Sequence, residues 1–160
     1  MLKHIVVILG LLLATQTVLA QEREKLIGVW KLLSFDVEFQ ATGERRPIYG
    51  KNPSGYIIFT PESRMMAVIA GEGRKPAETE QDRAVLLRTM LAYTGTYHLE
   101  GDKFTTKVDV SWNQAWTGTD QVRFYKLDGN RLEIVSAWAP SANIPEKPIV
   151  RGVLTWERAK

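Results

Sequence analysis

Turn-forming residues recur along this chain at short intervals, and the stretches between them are rich in β-branched and aromatic side chains. Thr42-Gly43, Asn52-Pro53-Ser54-Gly55, Thr60-Pro61-Glu62-Ser63, Glu100-Gly101-Asp102 and Asp128-Gly129-Asn130 each carry turn chemistry. The intervening runs predict strands near 29–39, 54–60, 65–70, 93–99, 103–111, 119–127, 131–138 and 149–157, eight in all. Within 103–111, Phe104, Val108 and Val110 alternate with Thr105, Lys107 and Asp109, the period of a half-buried strand. Tight turns between consecutive strands make them antiparallel neighbours.

An open sheet of eight strands would leave unpaired backbone groups at both edges. Closure into a barrel removes them. A two-sheet sandwich is the structural rival. Regular hairpins without long crossovers favour an up-and-down barrel, so the expected fold class is mainly all-β. Eight strands give an interior that side chains fill or that holds one small ligand. One segment departs from the pattern. Residues 78–92 hold no Gly or Pro and are rich in helix formers, which predicts a helix of three to four turns between the third and fourth strands. Thr79 and Asp82 have capping-box spacing, and Val85, Leu86, Leu87 and Met90 offer an apolar face. Residues 71–76 before it read as a loop. So does the stretch from Pro140 to Pro148, where three prolines exclude a regular strand.

The first twenty residues stand apart. Lys3 and His4 precede an apolar run from Ile5 to Leu13, and Val18-Leu19-Ala20 suits a cleavage site before Gln21. That is the pattern of a secretory signal peptide. A spanning helix needs about 20 apolar residues, and Thr15, Gln16 and Thr17 interrupt this run. The expected organisation is a signal peptide at 1–20 and one barrel domain at 21–160, in a periplasmic or secreted protein without a stable membrane anchor. There is no cysteine, which excludes a lipid-modified amino terminus and leaves stability to burial alone. The formal net charge is +3, with Lys3 of the leader contributing one, and the basic residues are scattered. Nothing resembles a nucleic-acid-binding stripe.

Several stretches, in order, carry a resemblance. They are LIGVWKLLSF (26–35), NPSGYIIFTPESRMMAV (52–68), AYTGTYHLEGD (92–102), WTGTDQVRFYKLDGNRLEI (116–134) and LTWERAK (154–160). Together they resemble the short lipocalin-like domain family of bacteria and fungi, and Gly28-Val29-Trp30 is similar to the G-x-W that begins the first lipocalin strand. The resemblance implies a closed or nearly closed barrel with a central cavity, and it names no ligand. It also implies that Trp30 packs beneath a basic residue of the last strand, for which Arg158 is suitably placed. Family members often carry a His on the strand corresponding to 103–111. This chain has Thr105, Thr106 and Lys107 there, so no role resting on such a His is implied.

Catalytic motifs are sparse. The only His beyond the leader is His98, on a predicted strand, where a surface or hydrogen-bonded role outweighs a place in a Ser-His-Asp triad. One His and no Cys disfavour zinc, and no phosphate loop, dinucleotide fingerprint or calcium loop is present. No cofactor is expected. Asp36 and Glu38 share a face of the first strand if it is regular. They would then supply an acid or base inside the barrel, or else simply meet water. Trp112 and Trp116 flank a strand-end loop that could touch a ligand at a barrel mouth.

The candidate ligand site is on the strand at 119–127. Gln121, Arg123 and Tyr125 share one face, with Val122 and Phe124 on the other. Arg-x-Tyr resembles the carboxylate-holding pair of fatty-acid-binding proteins, and a helix over the barrel's outside could bury the outward apolar pair. Arg123 and Tyr125 are therefore expected to face the cavity and hold a polar head group, with Asp36, Glu38 or a ligand carboxylate as the partner a buried Arg requires. Trp138 and Tyr97 are weaker candidates for the apolar wall.

Three functions fit this reading. The first is binding of a small apolar or amphipathic molecule. The second is a cofactor-free isomerase or cyclase in the same cavity. The third is an interaction module with a filled interior. Oligomeric state is left open. For export, the intact mass of the periplasmic or secreted protein is expected to correspond to a chain starting at Gln21. A stable membrane-embedded species keeping Met1 to Ala20 would overturn that expectation.

Overall fold

The computed structural model describes residues 23–141, 144 and 146–160. The predicted leader and its cleavage site lie outside the described residues. Ten strands form one sheet: β1 (Gly28–Phe39), β2 (Arg45–Pro47), β3 (Ser54–Phe59), β4 (Arg64–Ala70), β5 (Met90–Glu100), β6 (Lys103–Ser111), β7 (Asp120–Asp128), β8 (Arg131–Ser136), β9 (Ala139–Pro140) and β10 (Ile149–Arg158). Eight of them follow a closed antiparallel circuit, β1-β3-β4-β5-β6-β7-β8-β10, and β10 returns to β1. The short strands β2 and β9 add to the upper ends of β1 and β10. The eight-stranded antiparallel barrel read from the turn pattern is the observed fold. β2 and β9 were not foreseen, because two or three residues are too few to show a period.

β1 makes closure possible. It is twelve residues long and pairs with β10 from Trp30↔Arg158 to Phe39↔Val150. On its other side the first half pairs with β3 and the second half with β2. A register shift between Leu32 and Ser34 marks a bulge at Leu33. The extra residue exchanges the two faces of the strand beyond it. Trp30 and Leu32 are buried inside, and past the bulge Phe35 packs against the same core.

The turns β3–β4, β5–β6 and β7–β8 gather at one end with the start of β1. The longer connections gather at the other. The lower end is closed by packing. Trp30, Trp156, Phe59, Phe104, Leu26, Met65 and Leu132 are all fully buried. Phe59 meets Tyr97 and Phe104 edge-on, with ring centroids 5.1 and 5.3 Å apart. A helical turn at 23–26 plugs this end, and the Leu26 carbonyl accepts a 2.9 Å hydrogen bond from Trp30 Nε1.

The helix α1 (Glu80–Arg88) lies between β4 and β5, as expected, with the Thr79–Asp82 capping box formed in both directions. Two details differ. The helix is shorter than 78–92, because Met90 already begins β5. None of its residues is buried, and Val85 and Leu87 stay exposed. It therefore has no buried apolar face. It rests beside β5, and Phe124 remains exposed.

The seam between first and last strands is sealed by a cation over an indole. The Arg158 guanidinium lies 4.2 Å from the Trp30 ring centroid and donates to the carbonyls of Ile27, at 3.0 Å, and Lys25. Gly28 leaves room for it. Its φ is +134°, and a Cβ there would stand 2.7 Å from Arg158 Nη1. Arg158→Ala is expected to lower stability in urea by about 1–3 kcal/mol, from a lost cation–π contact and two orphaned carbonyls. Gly28→Ala is expected to be destabilising as well. Unchanged unfolding midpoints for both would remove this contact from the account of closure.

Candidate ligand site at the open end

Register decides which side chains of β7 turn inward. Gln121 stands opposite Thr106, Arg123 opposite Phe104 and Ser136, and Tyr125 opposite Ile134. Thr106, Phe104 and Ile134 are buried inside, and directly paired residues share a face. Gln121, Arg123 and Tyr125 therefore line the interior, and Val122 and Phe124 turn outward.

The two residues of the Arg-x-Tyr sequence share a face but reach in opposite directions. Arg123 reaches toward the open end. Its guanidinium lies 5.4 Å from the Trp116 ring centroid, and it donates to Gln121 Oε1 at 3.2 Å and to its neighbour's carbonyl, Val122 O, at 2.8 Å. The Tyr125 ring packs toward Phe104, and its hydroxyl lies 3.5 Å from the carbonyl of Gly101, in the β5–β6 turn at the closed end. The arrangement does not bring the two polar groups together.

Trp116 is the residue that the sequence reading undervalued. It ends a short 3-10 turn, Gln114–Trp116, in the β6–β7 connection. Asn113 caps that turn by accepting from the Ala115 amide at 3.1 Å. The Trp116 ring meets Tyr93 edge-on at 5.4 Å and Trp112 at 4.9 Å. An indole thus stands over the Arg123 guanidinium and is itself held by two aromatic neighbours. Among the described residues no carboxylate pairs with Arg123. Its partners are a neutral amide, a carbonyl and an aromatic ring.

Two further polar atoms lie inside the wall. Thr106 Oγ1 and Trp156 Nε1 are buried without a hydrogen-bond partner among the described residues. A buried polar atom left unsatisfied costs about 1–3 kcal/mol. Thr106 lies between Tyr97 and Gln121 in register, so an inward hydroxyl, an amide and a guanidinium occupy adjoining positions on β6 and β7.

The remaining candidates fall elsewhere. Tyr97 is interior but belongs to the packed lower end, with its hydroxyl 3.4 Å from the Thr60 carbonyl. Burial pushes its phenol up, and the nearby Arg23 partly offsets that. Trp138 does not line the interior. It is half-exposed beyond the end of β8, 4.4 Å from the Arg151 guanidinium. β8 stops at Ser136, so strand alternation no longer governs it. His98 is exposed on the outer face, opposite Thr105.

Asp36 and Glu38 do not face the barrel interior either, and the bulge is the reason. Regular alternation from Trp30 would turn them inward, but the extra residue at Leu33 turns them out. Glu38 instead accepts from Arg45 Nε at 2.8 Å and Arg151 Nη2 at 2.9 Å. This triad ties β2 to β1 and β10 on the outside of the barrel, and Trp138 stacks over it. Loss of hydration alone would raise the Glu38 carboxyl, but the hydrogen bonds and charges of Arg151 and Arg45 outweigh it and hold the group below the ordinary glutamate range.

The closed circuit, the plugged lower end and the Arg-capped Trp define a lipocalin-type barrel. Residues 27–159 match the lipocalin-like domain family, and the chain belongs to that family. No curated protein matches the chain.

The Glu38 triad has a pH signature. A carboxyl whose folded pKa is lowered adds stability that is complete above its unfolded value, about 4.3, and is lost as pH falls through the folded value. Urea unfolding from neutral to acid pH is therefore expected to show a Glu38-dependent loss that begins only below that range. Glu38→Gln should lower stability at neutral pH and flatten this part of the profile. Parallel profiles for the two proteins would count against the triad.

Proposed function

We propose that this protein is exported and binds a small amphipathic molecule with an anionic end in the upper half of its barrel. The leader-like sequence at 1–20 supports export. Barrels of this type commonly hold small hydrophobic ligands. The single observation that carries the reading is Arg123, an inward guanidinium whose partners among the described residues are all uncharged. A carboxylate or similar anion supplies the missing charge, and the planar fork suits two oxygens at once. Thr106 and Gln121 offer a hydroxyl and an amide beside it. Tyr93, Leu91, Phe35, Tyr49 and Trp116 pack on the core from the upper end and supply apolar surface. The lower end is filled by buried aromatic and aliphatic side chains, which limits the ligand to a short molecule.

The test is equilibrium binding of fluorescent fatty-acid and aromatic-carboxylate probes. Arg123→Ala, checked for folding by circular dichroism, is expected to weaken binding about tenfold or more, the worth of a charged hydrogen bond. Tyr125→Phe should leave affinity nearly unchanged, since its hydroxyl points to the closed end. Quenching of Trp116 fluorescence should accompany binding. Unchanged affinity in folded Arg123→Ala would overturn the site. Recovery of a rearranged or cyclised probe would favour the isomerase reading over simple binding.

A further inference from the structure

The buried inner face of β6 is apolar except at one position. Phe104 and Val108 are buried there, and Thr106 between them is fully buried too. A valine has nearly the same shape, so packing alone does not call for a hydroxyl. Thr106 Oγ1 has no hydrogen-bond partner among the described residues, and nothing in the wall offsets the loss of its hydration. In register it stands between Tyr97 on β5 and Gln121 on β7. Neither serves it. The Tyr97 hydroxyl is turned to the Thr60 carbonyl. The Gln121 amide is engaged at both ends, donating to Thr119 Oγ1 at 3.0 Å and accepting from Arg123 at 3.2 Å. The methyl side of Thr106 is set by Gly95. A Cβ at that position of β5 would stand 2.9 Å from Thr106 Cγ2 and would run into the Lys107 carbonyl oxygen. Gly95 therefore lets the two strands close on each other with the Thr106 methyl between them, and it adds no side chain over the hydroxyl.

We propose that Thr106 is a specificity-determining residue that reads a second oxygen on the ligand. The site then takes short carboxylic acids that carry a hydroxyl or a carbonyl two or three carbons from the carboxylate. This rests on Arg123 as the partner of the acid group. Thr106 and Arg123 are diagonal neighbours across the β6–β7 pair, since Gln121 is opposite Thr106 and Arg123 is opposite Phe104. Such positions lie about 7–8 Å apart. The Arg123 side chain then runs back past Gln121 toward Trp116, which brings its guanidinium closer to the level of Thr106. Hydrogen bonds of about 2.7–3.0 Å at each end leave only a few covalent bonds between the two ligand oxygens. A hydroxyl and a carbonyl both suit the position, because a threonine hydroxyl donates and accepts. An acid without that oxygen leaves Thr106 unsatisfied, and a site built around a polar group discriminates against the analogue that lacks its partner. A trapped water is the rival occupant. It would satisfy Thr106 in the free protein and select no ligand.

Calorimetric titration with octanoate, 2-hydroxyoctanoate and 3-hydroxyoctanoate tests this. The wild-type protein is expected to bind at least one hydroxy acid about tenfold more tightly than octanoate, the worth of one hydrogen bond in a dry site. Thr106→Val should bring that hydroxy acid down to the octanoate level, whereas Arg123→Ala should weaken all three acids. Urea unfolding without ligand supplies a second readout. Thr106→Val is expected to keep or raise the unfolding midpoint, because valine removes an unsatisfied hydroxyl. Equal binding of the three acids by the wild-type protein, or a preference that survives Thr106→Val, would overturn the proposal and leave Arg123 as the anion's partner. A lowered midpoint in Thr106→Val with the preference intact would identify the hydroxyl as a structural group on a trapped water, and would overturn it too. Failure of every acid to bind the wild-type protein would overturn both this proposal and the reading of Arg123 beneath it.

Discussion

Everything in this fold depends on the pairing of β1 with β10. The other strand pairs join neighbours along the chain or strands separated by a short element, and each could form in an open sheet. Only the β1–β10 seam converts that sheet into a barrel, and only then do an inside and an outside exist. The seam is held by nine residues of β1 in register with β10 and is finished at its lower end by Arg158 over Trp30. Without a disulfide, backbone pairing and burial carry this closure. That explains why the most completely buried residues, Trp30, Trp156 and Leu132 among them, cluster where the seam is sealed.

The bulge at Leu33 divides the barrel into two regimes. Below it the first strand turns Trp30 and Leu32 into an apolar lower end. Above it the faces exchange, so Phe35 fills the interior and Glu38 is delivered to two arginines outside. Gly152, opposite Val37 across the seam, gives the Phe35 ring its space, for a Cβ there would stand 3.2 Å from that ring. One inserted residue thus keeps a carboxylate out of the barrel interior. The inward guanidinium on the far wall, Arg123, is left without an acidic partner among the described residues. The electrostatic character of the interior follows from a backbone irregularity more than from the choice of any single side chain.

Most of the barrel was legible because its signals are local. Turn residues and period-two alternation report on neighbours in sequence, and the eight main strands fall within a few residues of where those signals put them. That Gln121, Arg123 and Tyr125 share a face was legible too, since side chains two apart point the same way, but which face turns inward was not, and the helix invoked to cover Val122 and Phe124 leaves Phe124 exposed. What escaped depends on contacts between distant segments. Nothing in GVWKLLSF announces that Leu33 is an extra residue, so strand alternation alone could not decide whether Asp36 and Glu38 face the interior or meet water. Nothing in an Arg-x-Tyr tripeptide says that one side chain will climb toward Trp116 while the other descends to Gly101. Trp138 looked like a continuation of β8, and the strand stops two residues earlier. The helix carried four apolar residues on paper, but it lies beside β5 without burying any of its residues.

A seam built from the first and last strands also orders events in time. Until residues 149–158 are present, β1 has no partner on one side and the sheet keeps two raw edges. A chain emerging from its N-terminus can form hairpins early, yet it cannot separate an interior from solvent until its final strand arrives. The contact that completes the fold spans nearly the whole domain in sequence, the kind of closure that makes folding slow. The growing chain therefore stays an unsealed sheet for as long as it is incomplete, and it becomes a container only in its last step.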